Sequence, residues 1–168
     1  MKNKKTGTQK VVAVSGGFDP LHIGHVEMMK EAKALGDKLV VIVNNDNWLK
    51  KKKGFAFMNE RERKAVIESI RYVDEVIVTS HGENEKDTSV CKELEILRPD
   101  VFANGGDRKP DGDPVPEVEL CERLGITMVY NIGKSGKIQS SSWLLTEHRK
   151  RNLCFCGSGR VYEKCHGI

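Results

Sequence analysis

The fold is decided by Val11-Val12-Ala13-Val14-Ser15-Gly16-Gly17-Phe18-Asp19-Pro20-Leu21-His22-Ile23-Gly24-His25. A short β-branched run, a glycine-containing loop and apolar residues spaced three or four apart from His25 to Leu35 predict a strand, a turn and a helix. Two glycines directly after a strand let the backbone approach a ligand closely. The helix start that follows aims unpaired N–H groups and a partial positive charge at any anion there. His22 and His25, three positions apart, face one side and can reach one phosphate chain, and Gly24 between them removes a side chain from the approach. This is a phosphate site in outline. Neither G-x-x-x-x-G-K-[ST] nor G-x-G-x-x-G occurs, so it is not a Walker loop or a dinucleotide fingerprint.

The same alternation continues outward. Further strands are expected at Leu39–Val43, Glu75–Val78, Val101–Ala103 and Ile126–Tyr130, and further helices at Asn59–Ile70, Ser89–Leu97, Glu117–Leu124 and Ser142–Lys150. Alternating strands and helices predict an α/β fold: a Rossmann-like parallel five-stranded sheet with helices on both faces and ligands at the carboxyl ends of the strands. The loops at that edge hold the lysine run Lys50–Lys53, then Gly105-Gly106-Asp107, then Lys134, Lys137 and Ser140-Ser141-Ser142.

A chain of 168 residues suits one core. No run approaches the ~20 apolar residues of a membrane span, so no membrane partner and a cytoplasmic location are expected. The net charge of +4 is uneven: residues 1–10 and 148–168 each carry +4, and residues 11–147 carry −4. A mildly acidic body argues against a nucleic-acid-binding domain. The chain divides into a basic tail (1–9), the α/β domain (10–150) and a short C-terminal segment (151–168). Asp107, Asp111, Gly112 and Asp113 suggest a calcium loop, but Lys109 and Val118 break the ligand spacing.

Gly16-Gly17-Phe18-Asp19-Pro20 with Leu21-His22-Ile23-Gly24-His25 resembles the G-x-F-D-x-x-H-x-G-H signature of the cytidylyltransferase-like nucleotidyltransferases, a resemblance that covers about residues 10–147. Ala34–Val41 and Ile70–Ile77 are similar to stretches of glycerol-3-phosphate cytidylyltransferases, and Gly105-Gly106-Asp107 to an element of heptose-1-phosphate adenylyltransferases. The resemblance implies attack by a substrate phosphate on the α-phosphorus of an NTP, releasing pyrophosphate, with CMP the favoured group and AMP the other. It implies His22, His25, Lys52 and Arg71 as catalytic residues and Arg63 as substrate-binding. It also implies Gly16, Gly17, Phe18, Asp19, Gly24, Gly106, Asp107, Lys137, Ser140, Ser141 and Ser142 around the nucleotide. Mg2+ would arrive with the CTP or ATP, the acceptor would be a phosphorylated polyol, sugar or amino alcohol, and a homodimer is compatible with the family. The chain lacks the family's R-T-E-G-I-S-T-T arginine, having Gly136-Lys137-Ile138-Gln139-Ser140-Ser141-Ser142 instead.

Cys154, Cys156, Cys165 and His166 make a Cys₃His set, a standard tetrahedral zinc combination, whereas Cys91 and Cys121 fall in apolar helical patterns and read as packing residues. Residues 154–167 resemble the SEC-C motif. Four protein ligands leave no open position, so this Zn2+ would be structural, and its basic flank would suit a protein or RNA partner. An adaptor that binds nucleotide without turnover and docks through this tail is the alternative function.

Overall fold

In a computed structural model, the protein is described over residues 9–105, 116–133, 139–150, 154, 156, 158–161 and 164–166. The elements run β1 (Val11–Gly16), α1 (Ile23–Lys33), β2 (Lys38–Val43), α2 (Asp46–Lys53), α3 (Glu60–Glu68), β3 (Glu75–Val78), α4 (Cys91–Leu97), β4 (Val101–Gly105), α5 (Glu117–Leu124), β5 (Thr127–Ile132) and α6 (Ser141–Lys150). All five strands are parallel, in the order β3-β2-β1-β4-β5. The order therefore reverses between β1 and β4. The carboxyl end of β1 lies at that crevice, where open α/β sheets bind ligands.

Both faces of the sheet are buried. Val12, Val14, Leu39, Val41 and Ala103 pack with Met28, Met29 and Ala32 of α1 and Ile67 of α3. Ala13, Ile42 and Phe102 pack on the other face with Leu94 of α4 and Leu120 and Cys121 of α5. Burial lifts the Cys121 thiol to about 11, in keeping with an inert packing role. Among the described residues no helix is long and apolar enough to cross a membrane.

The strands β1 and β4 run on to Gly16 and Gly105, past the ends expected from apolar residues alone, because the ladder continues through glycine: Gly16 still pairs with Val43. A larger departure is α2, which contains the lysine run expected to be a loop. Asn45 caps its start by accepting the Trp48 N–H at 3.0 Å, and Gly54 ends it in the left-handed conformation (φ 85°).

Arg63 of α3 is wholly buried. Its Nε donates to the Met58 carbonyl at 2.9 Å and its Nη1 to the Gly17 and Asn44 carbonyls at 2.7 and 2.6 Å, while Nη2 meets the Asp46 carboxylate at 2.6 Å. One side chain thereby ties together the loop after β1, the end of β2, the first turn of α2 and the approach to α3. Replacing Arg63 with Met, close in size but without donors, leaves these acceptors unpaired. Urea unfolding should report a loss of about 3–5 kcal/mol. Arg63→Lys should recover little of it, because an ammonium cannot serve four directions at once. A loss below about 1 kcal/mol in the Met variant would contradict this account.

Candidate active site

The loop after β1 is shaped by its own side chains. Phe18 adopts a positive φ of 50° and is buried, with its ring over Gly16, where a Cβ would come within 3.0 Å of it. Asp19, 1% exposed, accepts the Phe57 and Met58 N–H groups at 2.8 and 2.7 Å, clasping the loop before α3. The expected nucleotide-binding carboxylate thus faces two backbone donors and acts on the loop. Gly17 is needed for packing: a Cβ there would lie 2.9 Å from Leu49 Cδ2 of α2.

His22 caps α1 and His25 stands in its first turn, with the two rings stacked 3.7 Å apart at 25°. Phe18 supports His25 edge-on, at 5.1 Å and 82°. Gly24 makes room for this stack, since a Cβ would sit 3.1 Å from two atoms of the His22 ring. The His22 backbone N–H donates to His25 Nδ1 at 3.3 Å, so a neutral His25 carries its proton on Nε2 and offers it as a donor. His22 Nδ1 is buried and, among the described residues, has no hydrogen-bond partner.

Burial, then His22 and Lys53, bring His25 down to about 3, and burial followed by Lys53 also lowers His22. Both rings are therefore neutral at pH 7. The nearby positive charge is Lys53, the last residue of α2, whose ammonium reaches the Asp19 carbonyl at 3.1 Å. Its own pKa is lowered, mainly by exclusion from water, with Asp19 opposing and Arg63 adding to the shift.

A second helix start converges here. Ser141 Oγ donates to the Pro20 carbonyl at 2.9 Å, the Gln139 carbonyl lies beside Gly24, and Ser140 Oγ caps α6 by accepting the Trp143 N–H at 3.1 Å. Ser142 is exposed in the first turn of α6. The start of α1, Lys53 and the start of α6 therefore surround the histidine pair, an arrangement of donors and dipoles suited to a phosphate chain.

Three expected residues stand elsewhere. Arg63 is sealed beneath the site by its four acceptors, so it supports the loops and does not face an acceptor molecule. Lys52 projects over the Trp48 ring at 6.0 Å, because the helix turns it away from the direction of Lys53. Arg71 lies just before β3, at the amino edge of the sheet, with its Nη2 on the Tyr72 hydroxyl at 2.7 Å. Gly106, Asp107 and Lys137 lie outside the described residues. Lys53 could have been favoured over Lys52 from Asn45, Asp46 and Gly54, whose types at those positions mark a helix running to residue 53.

The profile described as "Cytidylyltransferase-like" matches residues 13–123, most of the sheet and the whole histidine loop. The chain belongs to the cytidylyltransferase-like family. The SEC-C motif matches residues 151–168. Among relatives of this cytidylyltransferase-like chain, an FAD synthase of Pyrococcus horikoshii is 45% identical over 101 residues, covering 60% of this chain and 65% of that protein. An ethanolamine-phosphate cytidylyltransferase of Dictyostelium discoideum is 38% identical over 122 residues, covering 70% of this chain and 32% of that protein. The chain thus spans just under two thirds of the first relative and about a third of the second. A solved lipopolysaccharide core biosynthesis protein of Thermoplasma volcanium superposes with a TM-score of 0.59 at 30% identity, covering 74% of this chain and 95% of that one.

In the C-terminal segment, Cys154, Cys156, Cys165 and His166 bring their ligand atoms within 4.8 Å of one another. Cys156 and Cys165 Sγ are 3.6 Å apart, close to the ~3.8 Å edge that Zn–S bonds of about 2.3 Å give a tetrahedron. His166 Nδ1 lies 3.1 and 3.3 Å from Cys154 and Cys165 Sγ. Hydrogen bonds from Ser158 lead the effects that bring Cys156 down to about 6, which favours the thiolate a metal requires. The set fits one tetrahedral ion.

The His25 shift has a sign that can be checked. Its folded pKa lies below the unfolded value, so the unfolded chain binds the extra proton between pH 6.5 and about 3. Stability from this group is complete above pH 6.5 and is lost as pH falls through that window. Denaturant unfolding of wild type and His25→Asn from pH 7 to 4 should show a shallower acid loss in the variant. Equal slopes would refute the buried neutral ring.

Proposed function

We propose that this chain is an adenylyltransferase that joins AMP from ATP to the phosphate of FMN, giving FAD and pyrophosphate. The observation that carries the nucleotidyl-transfer reading is the neutral, stacked His22–His25 pair, set between two helix starts at the reversal of strand order. The donor and acceptor are supported by similarity to FAD synthase, and they replace the CMP and polyol phosphate favoured on sequence alone.

An FMN phosphate oxygen attacks the α-phosphorus of ATP, the new P–O bond forms, and the bond to the bridging oxygen of pyrophosphate breaks. The phosphate monoester is already largely dianionic at pH 7, so no general base is required. The task is to align two anions and stabilise the transferring group. His25 Nε2–H and the His22 ring would donate to the phosphates, and Lys53 and the starts of α1 and α6 would supply positive potential. Asp19, Arg63 and Gly24 would hold these donors in place. Mg2+ bound to the ATP would add positive charge at the phosphates.

A panel of ATP or CTP with FMN, phosphorylated polyols and sugars tests the reading, with pyrophosphate release and product mass as readouts. ATP with FMN should give FAD. His25→Ala should lower kcat/KM by about 10²–10³-fold with melting little changed, as for loss of a fixed transition-state donor. Turnover of CTP with a phosphorylated polyol and none of ATP with FMN would replace the assigned substrates. No turnover with any pair would favour the adaptor.

We propose further that Zn2+ occupies the cysteine–histidine cluster as a structural ion. Too short to bury a core, this segment should depend on the metal for its fold. Metal analysis should give one zinc per chain. Chelation should speed hydrogen exchange across 154–166 and leave the melting of the α/β body unchanged. Unfolding of the body on chelation would show that the metal supports the sheet instead.

A further inference from the structure

The segment between β3 and α4 holds a buried imidazole that the proposed reaction does not use. His81 is buried together with Thr79 and Ser89. Its Nε2 lies 2.9 Å from the Ser89 carbonyl and its Nδ1 2.8 Å from the Thr79 hydroxyl. A carbonyl can only accept, so Nε2 carries the hydrogen toward Ser89, and in the neutral ring Nδ1 takes the Thr79 proton. Thr79 Oγ1 in turn accepts the Asn45 N–H at 3.0 Å. The ring thereby bridges the start and the end of the loop with its polar atoms paired.

The braced loop grips one side of α2. The His81 carbonyl accepts from Asn45 Nδ2 at 2.8 Å and from Asn47 Nδ2 at 3.0 Å. Trp48 Nε1 donates to the Thr88 carbonyl at 2.8 Å, and Lys51 Nζ to the Lys86 carbonyl at 3.1 Å. These ties run from the cap of α2 to its last turn. Another side of the helix faces the site: Leu49 lies against Gly17, and Lys53 reaches the Asp19 carbonyl beside His22 and His25. Arg63 anchors the first turn through Asp46, which leaves the loop to set the direction of the rest.

We propose that His81 is a positioning residue for nucleotidyl transfer, which sets the tilt of α2 and so the place of the Lys53 ammonium at the phosphates. The inference rests on the reading above, in which Lys53 supplies positive potential there. Asn45 and Lys53 stand about 12 Å apart along the helix, so a tilt of about 5° carries Lys53 about 1 Å. A displacement of that size can cost a reaction about 10²-fold.

The test measures kcat/KM with ATP and FMN, well below the melting temperature, in the full chain, in His81→Leu, in Lys53→Met and in the double variant. His81→Leu should lose about tenfold or more. The same change made in Lys53→Met should cost less than about threefold, because the group it displaces is already gone. His81→Gln, whose amide keeps a donor for the Ser89 carbonyl, should recover part of the loss. A His81→Leu protein that melts lower yet stays within about threefold of wild-type kcat/KM is impaired in structure alone and overturns the proposal. An equal loss with and without Lys53 overturns it too. Should His81→Leu fail to fold, His81→Gln takes its place in the cycle, and undiminished turnover in it also overturns the proposal. A wild type that joins another nucleotide to another phosphate defeats the assigned substrates alone, since the cycle run on that pair decides the same point. A wild type that turns over no pair but binds ATP defeats the transfer reading alone. The cycle is then read as ATP affinity by calorimetry, where a loss in His81→Leu that vanishes in Lys53→Met supports the positioning role. A wild type that neither turns over nor binds ATP defeats both.

Discussion

A buried guanidinium holds the carboxyl edge of this sheet in shape. Arg63 meets carbonyls from the loop after β1, from the end of β2 and from the approach to α3, and it neutralises its charge against Asp46. Those carbonyls belong to segments with no regular structure of their own to satisfy them. Remove the donor and each segment must find water in a place that excludes it. The Asp19 clasp on Phe57 and Met58 closes the same circuit from the other side. Phe18 and the start of α1 lie on either side of this clasped Asp19, so the geometry of the histidine pair rests on Arg63 and Asp19 as well as on its own helix.

That dependence changes how the histidines work. Two imidazolium rings stacked at 3.7 Å would repel each other, and burial beside Lys53 adds to the penalty. The fold resolves the conflict by keeping them neutral and fixing a tautomer through the His22 N–H. In the proposed reaction they would contribute oriented donors, and positive potential would come from Lys53 and from backbone dipoles that cannot be deprotonated.

The sheet was legible because its evidence is local. β-branched runs, turn glycines and helical spacing each sit within a few residues, so strand order apart, every expected element appears within about two residues of its place. The histidine loop was legible for the same reason. What could not be read were relations across the fold. The helical pattern of α2 is masked because four lysines supply no apolar stripe, only caps at Asn45 and Gly54. Arg63, a surface residue by type, is buried because four acceptors converge on it, three of them from 17 to 46 residues away in sequence. Arg71 is near the site in no sense that spacing can reveal, since the turn before a strand and the loop after it lie at opposite edges of the sheet.

The charge distribution then favours a small polyanion over a long one. Residues 11–147 carry a net −4, so at long range the body repels phosphate. A polymer must lay many phosphates on an extended basic surface, and its affinity is set by how many it neutralises. A single triphosphate needs only contacts within a few ångströms. At physiological salt, charges more than about 8 Å away are largely screened, whereas Lys53 and two helix starts act at contact range. The Asp46 carboxylate is taken up by Arg63 and that of Asp19 by two backbone donors, so neither is left to oppose the ligand directly. An acidic body with a short-range positive pocket can therefore admit a nucleotide while offering little hold to a nucleic acid.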